Sequence, residues 1–83
     1  MLGVRKATMT YHKYYFYYTN TSESATDLEI ADMLDVDVED FRESMSEYNA
    51  NFDREYSKLM FDNKDDAENA LNSLNQTLSK MLH

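Results

Sequence analysis

The sequence has no cysteine, no proline and only one glycine in 83 residues. Without cysteine, the chain can form no disulfide and no thiolate zinc site, and it has no thiol nucleophile. Phosphate-binding loops and the nucleophile elbow of serine hydrolases need several closely spaced glycines, so the sequence excludes both. The absence of thiols also fits a reducing compartment, and we expect a cytoplasmic location.

Long hydrophobic runs are absent as well. No stretch approaches the roughly 20 apolar residues that a membrane-spanning helix needs, and the opening residues MLGVRKAT lack the apolar centre of a secretory signal. Seven tyrosines and four phenylalanines nevertheless supply enough apolar surface for a core. We therefore expect no membrane contact, a flexible N-terminal extension over residues 1–8 and a single compact domain over residues 9–83.

Basic residues are scarce and unevenly distributed in this chain, whose net charge is −8. Residues 1–22 hold three bases and no acid, which gives +3. Residues 23–47 hold ten acids and one base (−9), and residues 48–83 hold six acids and four bases (−2). The middle segment thus carries more than the whole deficit, and such an imbalance bears on partners and solubility rather than on fold.

The hydrophobic pattern predicts an α+β fold. Five tyrosines and one phenylalanine lie between Tyr11 and Tyr18, a composition typical of a strand. A helix is expected from Thr26, which fits a capping box with Glu29, and its inner stripe would be Leu28, Ala31 and Leu34. A second helix is expected after Asp37, with apolar residues at intervals of three and four: Val38, Phe41, Met45, Tyr48 and Phe52.

Residues 54–61 fit two interpretations. The helical spacing could continue into one helix over residues 38–60, which would make the protein mostly α and leave the tyrosine-rich strand to pair across a homodimer. Alternatively, residues 55–61 form a short second strand that gives the tyrosine-rich strand a hydrogen-bonding partner, and we favour this interpretation. A long C-terminal helix would follow, capped by Asp62 or Asn63, with an apolar face of Ala67, Ala70, Leu71, Leu74, Leu78, Met81 and Leu82.

Residues 30–45, IADMLDVDVEDFRESM, resemble the helix-turn-helix of DNA-binding regulators. In that motif a glycine is usual in the turn, where this chain has Asp35, and the second helix approaches the base edges. Here the second helix begins with Asp37, Glu39 and Asp40. Because proteins bind the DNA polyanion largely through lysine and arginine, we expect no binding of double-stranded DNA. The matched positions are those that pack the two helices together: Ile30, Ala31, Leu34, Val36, Phe41, Arg42 and Met45.

The sequence predicts no enzyme activity, no metal and no cofactor. Asp35, Asp37 and Glu39 resemble the opening of a calcium loop, but Asp40 stands where that loop needs glycine and Ser46 where it needs a bidentate glutamate. The two histidines belong to no metal or triad pattern. Acid–base catalysis needs carboxylates whose pKa values are pushed apart in a cleft, whereas the carboxylates of this chain are expected to face solvent.

These observations predict a non-catalytic protein that docks an acidic surface on a basic, nucleic-acid-binding partner, in its most specific form a DNA-mimicking inhibitor. In size and acidity the chain resembles small phage-encoded inhibitors, including anti-CRISPR proteins and inhibitors of DNA-processing enzymes. That resemblance implies the cytoplasm of the host cell as the location. The predicted surface consists of eight carboxylates and two tyrosine anchors: Glu29, Asp32, Asp35, Asp37, Glu39, Asp40, Glu43, Glu47, Tyr15 and Tyr17.

Two other functions stay open. A regulator or assembly factor could retain a helix-turn-helix core and use it against protein. The tyrosine-rich strand could instead stack the unpaired bases of a single-stranded nucleic acid, with Arg5, Lys6 and Lys13 nearby.

Overall fold

The computed structural model describes residues 2–7, 13–54 and 57–81, and within them it shows three helices and two antiparallel strand pairs. This arrangement confirms the predicted α+β fold. The mostly helical alternative is wrong, because the second helix ends at Ser46 and two short strands follow it. The elements in chain order are β1 (Leu2–Lys6), β2 (Tyr14–Tyr18), α1 (Asp27–Leu34), α2 (Val38–Ser46), β3 (Asn51–Asp53), β4 (Lys58–Met60) and α3 (Lys64–Met81).

The two strand pairs are joined by one bridge. β1 pairs with β2, with Gly3 opposite Tyr17, and β3 pairs with β4. Tyr14 and Phe61 exchange both backbone hydrogen bonds, with N···O distances of 2.8 and 2.9 Å. The strands therefore lie side by side in the order β1, β2, β4, β3.

The N-terminal residues differ from the sequence expectation. A flexible extension was expected over residues 1–8, whereas residues 2–6 form β1 and bury Leu2. β1 is also the main hydrogen-bonding partner of β2. The sequence predicted a partner strand over residues 55–61, but among its described residues Phe61 alone forms a bridge to β2. The segment LGVRK ends in two bases and carries little hydrophobic patterning, so the sequence gives no strand signal there. Residues 8–12, which include the start of the predicted strand, lie outside the described residues.

The core lies between one face of the strands and the three helices. On β2, Phe16 is buried, and Tyr14 and Tyr18 pack against the core. Because alternate residues of a strand face opposite sides, Tyr15 and Tyr17 lie on the face away from the helices. The buried hydrophobic residues come from every helix and from β1, β2, β4 and the residues beside them: Leu2, Phe16, Ala25, Ile30, Ala31, Phe41, Met45, Leu59, Phe61, Ala67, Ala70 and Leu74.

Side-chain caps set the starts of the helices, where backbone N–H groups lack partners within the helix. Thr26 Oγ1 accepts from the backbone N–H of Glu29, and Glu29 Oε1 accepts from that of Thr26, each at 3.2 Å, which completes the capping box. Asp37 Oδ1 accepts from the N–H two residues further on, at 3.1 Å, and Asn63 Oδ1 from the N–H three residues further on, at 2.8 Å. The three predicted helix starts are confirmed.

The prediction of buried apolar stripes is wrong for two residues. Leu28 is 56% exposed and Met81 is 48% exposed, while Leu82 lies outside the described residues. Helix α1 instead turns Asp27 inward, and its side chain is completely buried. The spacing of apolar residues cannot predict a buried carboxylate, because the carboxylate is buried only where a partner from elsewhere in the sequence pairs with it.

The partner of Asp27 is Arg42. Nε of Arg42 donates to Oδ2 of Asp27 at 2.6 Å, and the backbone N–H of Leu28 donates to Oδ1 at 2.8 Å. Nη1 of Arg42 donates to Oε1 of Glu39 at 2.8 Å, and the guanidinium carbon lies 4.0 Å from the centroid of the Phe52 ring. One arginine side chain thus joins α1, α2 and β3.

We expect Arg42→Met to lower the free energy of unfolding by about 3 kcal/mol, because it leaves a buried carboxylate without its cation. Asp27→Asn should cost less, since the partly exposed guanidinium keeps some hydration. The double variant should lose clearly less than the sum of the two, which urea unfolding of all four proteins measures as a coupling energy. Strictly additive losses would show that the two side chains do not stabilise each other.

Candidate acidic interface on helices α1 and α2

The eight carboxylates predicted to contact a partner are all exposed. They lie on α1, on α2 with the residue that follows it, and on the three-residue turn between the helices. Arg42 is the one base in residues 23–47, and its guanidinium is already engaged by Asp27 and Glu39. The acid excess of this segment therefore reaches the surface. The eight are Glu29, Asp32, Asp35, Asp37, Glu39, Asp40, Glu43 and Glu47.

Three of these carboxylates stabilise the fold. Glu29 completes the capping box of α1, and Asp37 caps α2. Glu39 pairs with Arg42 at 2.8 Å. Each also lies at or near a helix start, where the helix dipole favours a negative charge. Local structure is therefore sufficient to explain these three.

The other five have no such explanation. Among the described residues, no side-chain hydrogen bond or ion pair involves the carboxylates of Asp32, Asp35, Asp40, Glu43 or Glu47. Four of them lie at the C-terminal ends of α1 and α2, where the helix dipole disfavours negative charge, and neither helix has a base in its last turn. The fold thus tolerates these four charges without benefiting from them.

Helix α2 gathers its acids on one side. At 3.6 residues per turn, Glu39, Asp40, Glu43 and Glu47 fall within a sector of about 100°, on the side away from the buried Phe41 and Met45. Residues one turn apart are about 5–6 Å from each other. The four carboxylates, of which Glu39 is paired with Arg42, span about 12 Å of helix axis, and their mean spacing of about 4 Å is close to the 3.4 Å between charges along one DNA strand.

Glu29 also connects α1 to the strands. The hydroxyl of Tyr18 donates to Glu29 Oε2 at 3.0 Å. Hydrogen bonds from the side chain and backbone of Thr26, and then from Tyr18, lower the pKa of Glu29. Burial, together with the hydrogen bond to Glu29 and the charges of Glu29 and Glu23, raises the pKa of Tyr18 to about 12. Glu29 therefore keeps its negative charge in a fixed position.

Asp35 closes α1 in a left-handed conformation, with φ 57° and ψ 45°. Its backbone N–H bonds to the carbonyls of Ala31 and Asp32, and that of Val36 also bonds to Ala31. Glycine adopts this conformation most easily, and Asp tolerates it at some cost. Asp35 thus has the backbone conformation for which a turn glycine is suited.

The two predicted tyrosine anchors lie apart from the acidic surface, because they belong to the outer face of the strands. Tyr15 and Tyr17 are half-buried rather than exposed. Lys58 Nζ lies 5.0 Å from the centroid of the Tyr15 ring, and the guanidinium carbon of Arg5 lies 4.3 Å from that of Tyr17. A Cβ on Gly3 would come within 2.7 Å of Tyr17 Cε1, so only glycine accommodates this ring position.

Residues 2–7, 13–54 and 57–81 form neither a metal site nor a membrane-spanning helix. No group of three or more acidic or histidine side chains there is arranged to hold a metal ion, and no helix there is both long and apolar enough to cross a bilayer. Two open depressions lie along the exposed side of α3 and beside β3. Neither has two carboxylates in its lining.

The lowered pKa of Glu29 predicts a pH-dependent contribution to stability. Its charge stabilises the folded chain above the ordinary carboxyl pKa of 4.5, and this benefit is lost as the pH falls through the lowered value. Glu29→Gln, which still fits a capping box, should be less stable than the parent at pH 7 by about 0.5 kcal/mol. The difference should shrink towards pH 3 in urea unfolding. Glu43→Gln is the control, and a similar pH-dependent deficit there would contradict the assignment.

Asp35→Gly should stabilise the protein by about 0.5–1 kcal/mol, because it relieves the left-handed conformation and removes a charge from a helix C-terminus. Asp32→Gly, three residues earlier in the helix, is the matched control: it removes the same charge but places the glycine inside the helix, so we expect the two effects to offset each other to within about 0.5 kcal/mol. Thermal or urea unfolding of both variants measures the contrast. Equal effects at the two positions would show that the cap conformation contributes nothing.

Comparison of this chain with protein-family models, with curated proteins and with solved structures finds no match. The resemblances to a helix-turn-helix and to small phage-encoded inhibitors therefore stay predictions.

Proposed function

We propose that this protein is a non-catalytic inhibitor or regulator whose helices α1 and α2 dock an acidic, DNA-mimicking surface on a basic, nucleic-acid-binding protein. One observation carries the proposal: five exposed carboxylates have no cation among the described residues, and four of them lie at helix ends that disfavour them. A basic partner would supply the missing cations.

The energetics of the α2 surface support a role in association. Like charges one turn apart destabilise a helix by a few tenths of a kcal/mol per pair. Lysine and arginine on a partner convert that repulsion into attraction, and complementary charge accelerates the encounter. Binding of this kind weakens as salt rises, because salt screens charges that are separated by more than about 10 Å at 0.1 M.

The outer face of the strands favours a second candidate function, single-stranded nucleic acid binding. A cation lies over each of its two tyrosine rings, Arg5 over Tyr17 and Lys58 over Tyr15. Proteins bind unpaired bases by stacking them on aromatic rings beside cations. The net charge of −8 opposes such binding, so we place the acidic surface first.

Reversing charge on α2 tests the proposed function. The variant Glu43→Lys/Glu47→Lys leaves the capping residues and the Glu39–Arg42 pair intact, and its new lysines suit a helix C-terminus. The control Asp65→Lys/Glu68→Lys makes the same change in net charge on exposed positions of α3; because it removes a first-turn acid and the Lys64–Glu68 pair, its fold is first compared with that of the parent by urea unfolding. Each protein, immobilised, is incubated with a nuclease-treated cell lysate at low and high salt, and duplex DNA is added as a competitor.

We expect the parent and the α3 control to retain basic proteins that high salt or duplex DNA releases, and the α2 variant to lose them by tenfold or more. Capture that survives the α2 reversal would overturn the site assignment. Direct retention of the parent chain on single-stranded nucleic acid, lost in Arg5→Ala/Lys58→Ala, would instead favour the tyrosine face.

A further inference from the structure

Large exposed hydrophobic side chains are concentrated on and just after α1. Among the described residues, four such side chains exist, and three of them lie within residues 28–36. Leu28 is 56% exposed, Met33 36% and Val36 46%. The fourth, Met81, is in the last turn of α3. Burial within the fold does not account for the three, because the inward side of α1 is already filled by Asp27, Ile30 and Ala31.

On α1 these hydrophobic residues alternate with carboxylates. At 3.6 residues per turn, Leu28 and Met33 bound the exposed side of the helix, and Glu29 and Asp32 lie between them. Met33 is held in place by the strands, since its sulfur lies 3.9 Å from the Tyr18 hydroxyl that also binds Glu29. The exposed side of α1 is thus both apolar and anionic.

The exposed side of α2 differs, because it carries carboxylates and serines but no large exposed hydrophobic residue. If the partner recognised negative charge alone, carboxylates arranged as on α2 would be sufficient to bind it. Carboxylates alternating with Leu28, Met33 and Val36 complement a partner that presents bases and apolar side chains together. Basic amphipathic helices have this chemistry, and such helices bind to protein surfaces through apolar anchors at helical spacing.

We infer that α1 and the turn after it bind a basic amphipathic helix of the partner protein. This inference rests on the proposed function and names the partner's contacting element. Leu28, Met33 and Val36 meet its apolar side, while Glu29 and Asp32 meet its lysines or arginines. Helix α2 contributes attraction of longer range, whereas α1 selects the amphipathic pattern.

Two synthetic peptides of leucine and lysine test the inference. Both have the same length, composition and charge; one arranges leucine along a single helical side, and the other scrambles the order. Affinity for the parent protein is measured by fluorescence anisotropy at two salt concentrations. We expect the amphipathic peptide to bind about tenfold more tightly than the scrambled one, and both affinities to fall with salt.

Substitutions on α1 locate the contact. Leu28→Gln/Met33→Gln should reduce the affinity for the amphipathic peptide about tenfold and leave the scrambled peptide unchanged. Met81→Gln, which removes an exposed methionine on α3, should change neither. All variants are first compared with the parent by urea unfolding, so that a loss of fold is not taken for a loss of binding.

The failures of the two proposals are distinguishable. Equal, salt-sensitive binding of both peptides would overturn the α1 inference and leave the acidic surface standing. Binding of neither peptide would overturn both. An amphipathic preference that Met81→Gln removes as effectively as the α1 variant would overturn the location. Self-association of the parent by sedimentation, abolished by Leu28→Gln/Met33→Gln, would show that a second copy occupies this surface and would also overturn the inference.

Discussion

The contact between Arg42 and Asp27 determines the arrangement and the electrostatics of the two acidic helices. It brings the first residue of α1 against the middle of α2 and satisfies a carboxylate that no water reaches. The contact also engages the one basic residue of residues 23–47. Packing and surface charge are therefore linked, because the cation that holds the helices together is already paired with Asp27 and Glu39.

The fold separates charge of opposite sign. Bases from the N-terminal segment and from β4 lie over tyrosine rings on the outer face of the strands, whereas the eight carboxylates of the candidate interface lie on and beside α1 and α2. Separation of this kind gives the molecule two electrostatically different sides. Such a molecule can orient itself in the field of a charged partner before contact, which is the physical basis of steered association.

Local chemistry explains which parts of the fold the sequence could predict. The capping box at Thr26 and the caps at Asp37 and Asn63 act within three residues, so sequence patterns reveal them. β1 pairs with residues eight to sixteen positions away, and Asp27 depends on an arginine fifteen positions away. Neither the β1 pairing nor the burial of Asp27 has a local sequence signature. The wrong prediction for Leu28 follows from the burial of Asp27, which occupies the inward position on α1.

In the candidate site, too, local features were predictable from the sequence and long-range contacts were not. Exposure of the eight carboxylates followed from helical periodicity around residues such as Phe41 and Met45. Only the structure shows which of these carboxylates also stabilise the fold, because that depends on their contacts with Arg42 and Tyr18. The tyrosine anchors were expected to be exposed, but cations that lie far away in the sequence cover Tyr15 and Tyr17.

The position of the single glycine has a consequence for β1. Tyr17 lies over Gly3, and any side chain there would collide with the ring. Sliding the strand by two residues would preserve its inward and outward faces but bring Arg5 under Tyr17. A strand of five residues has few hydrogen bonds with which to resist sliding. The glycine and the ring thus favour the observed alignment of the N-terminal strand over the one that would bring Arg5 under Tyr17.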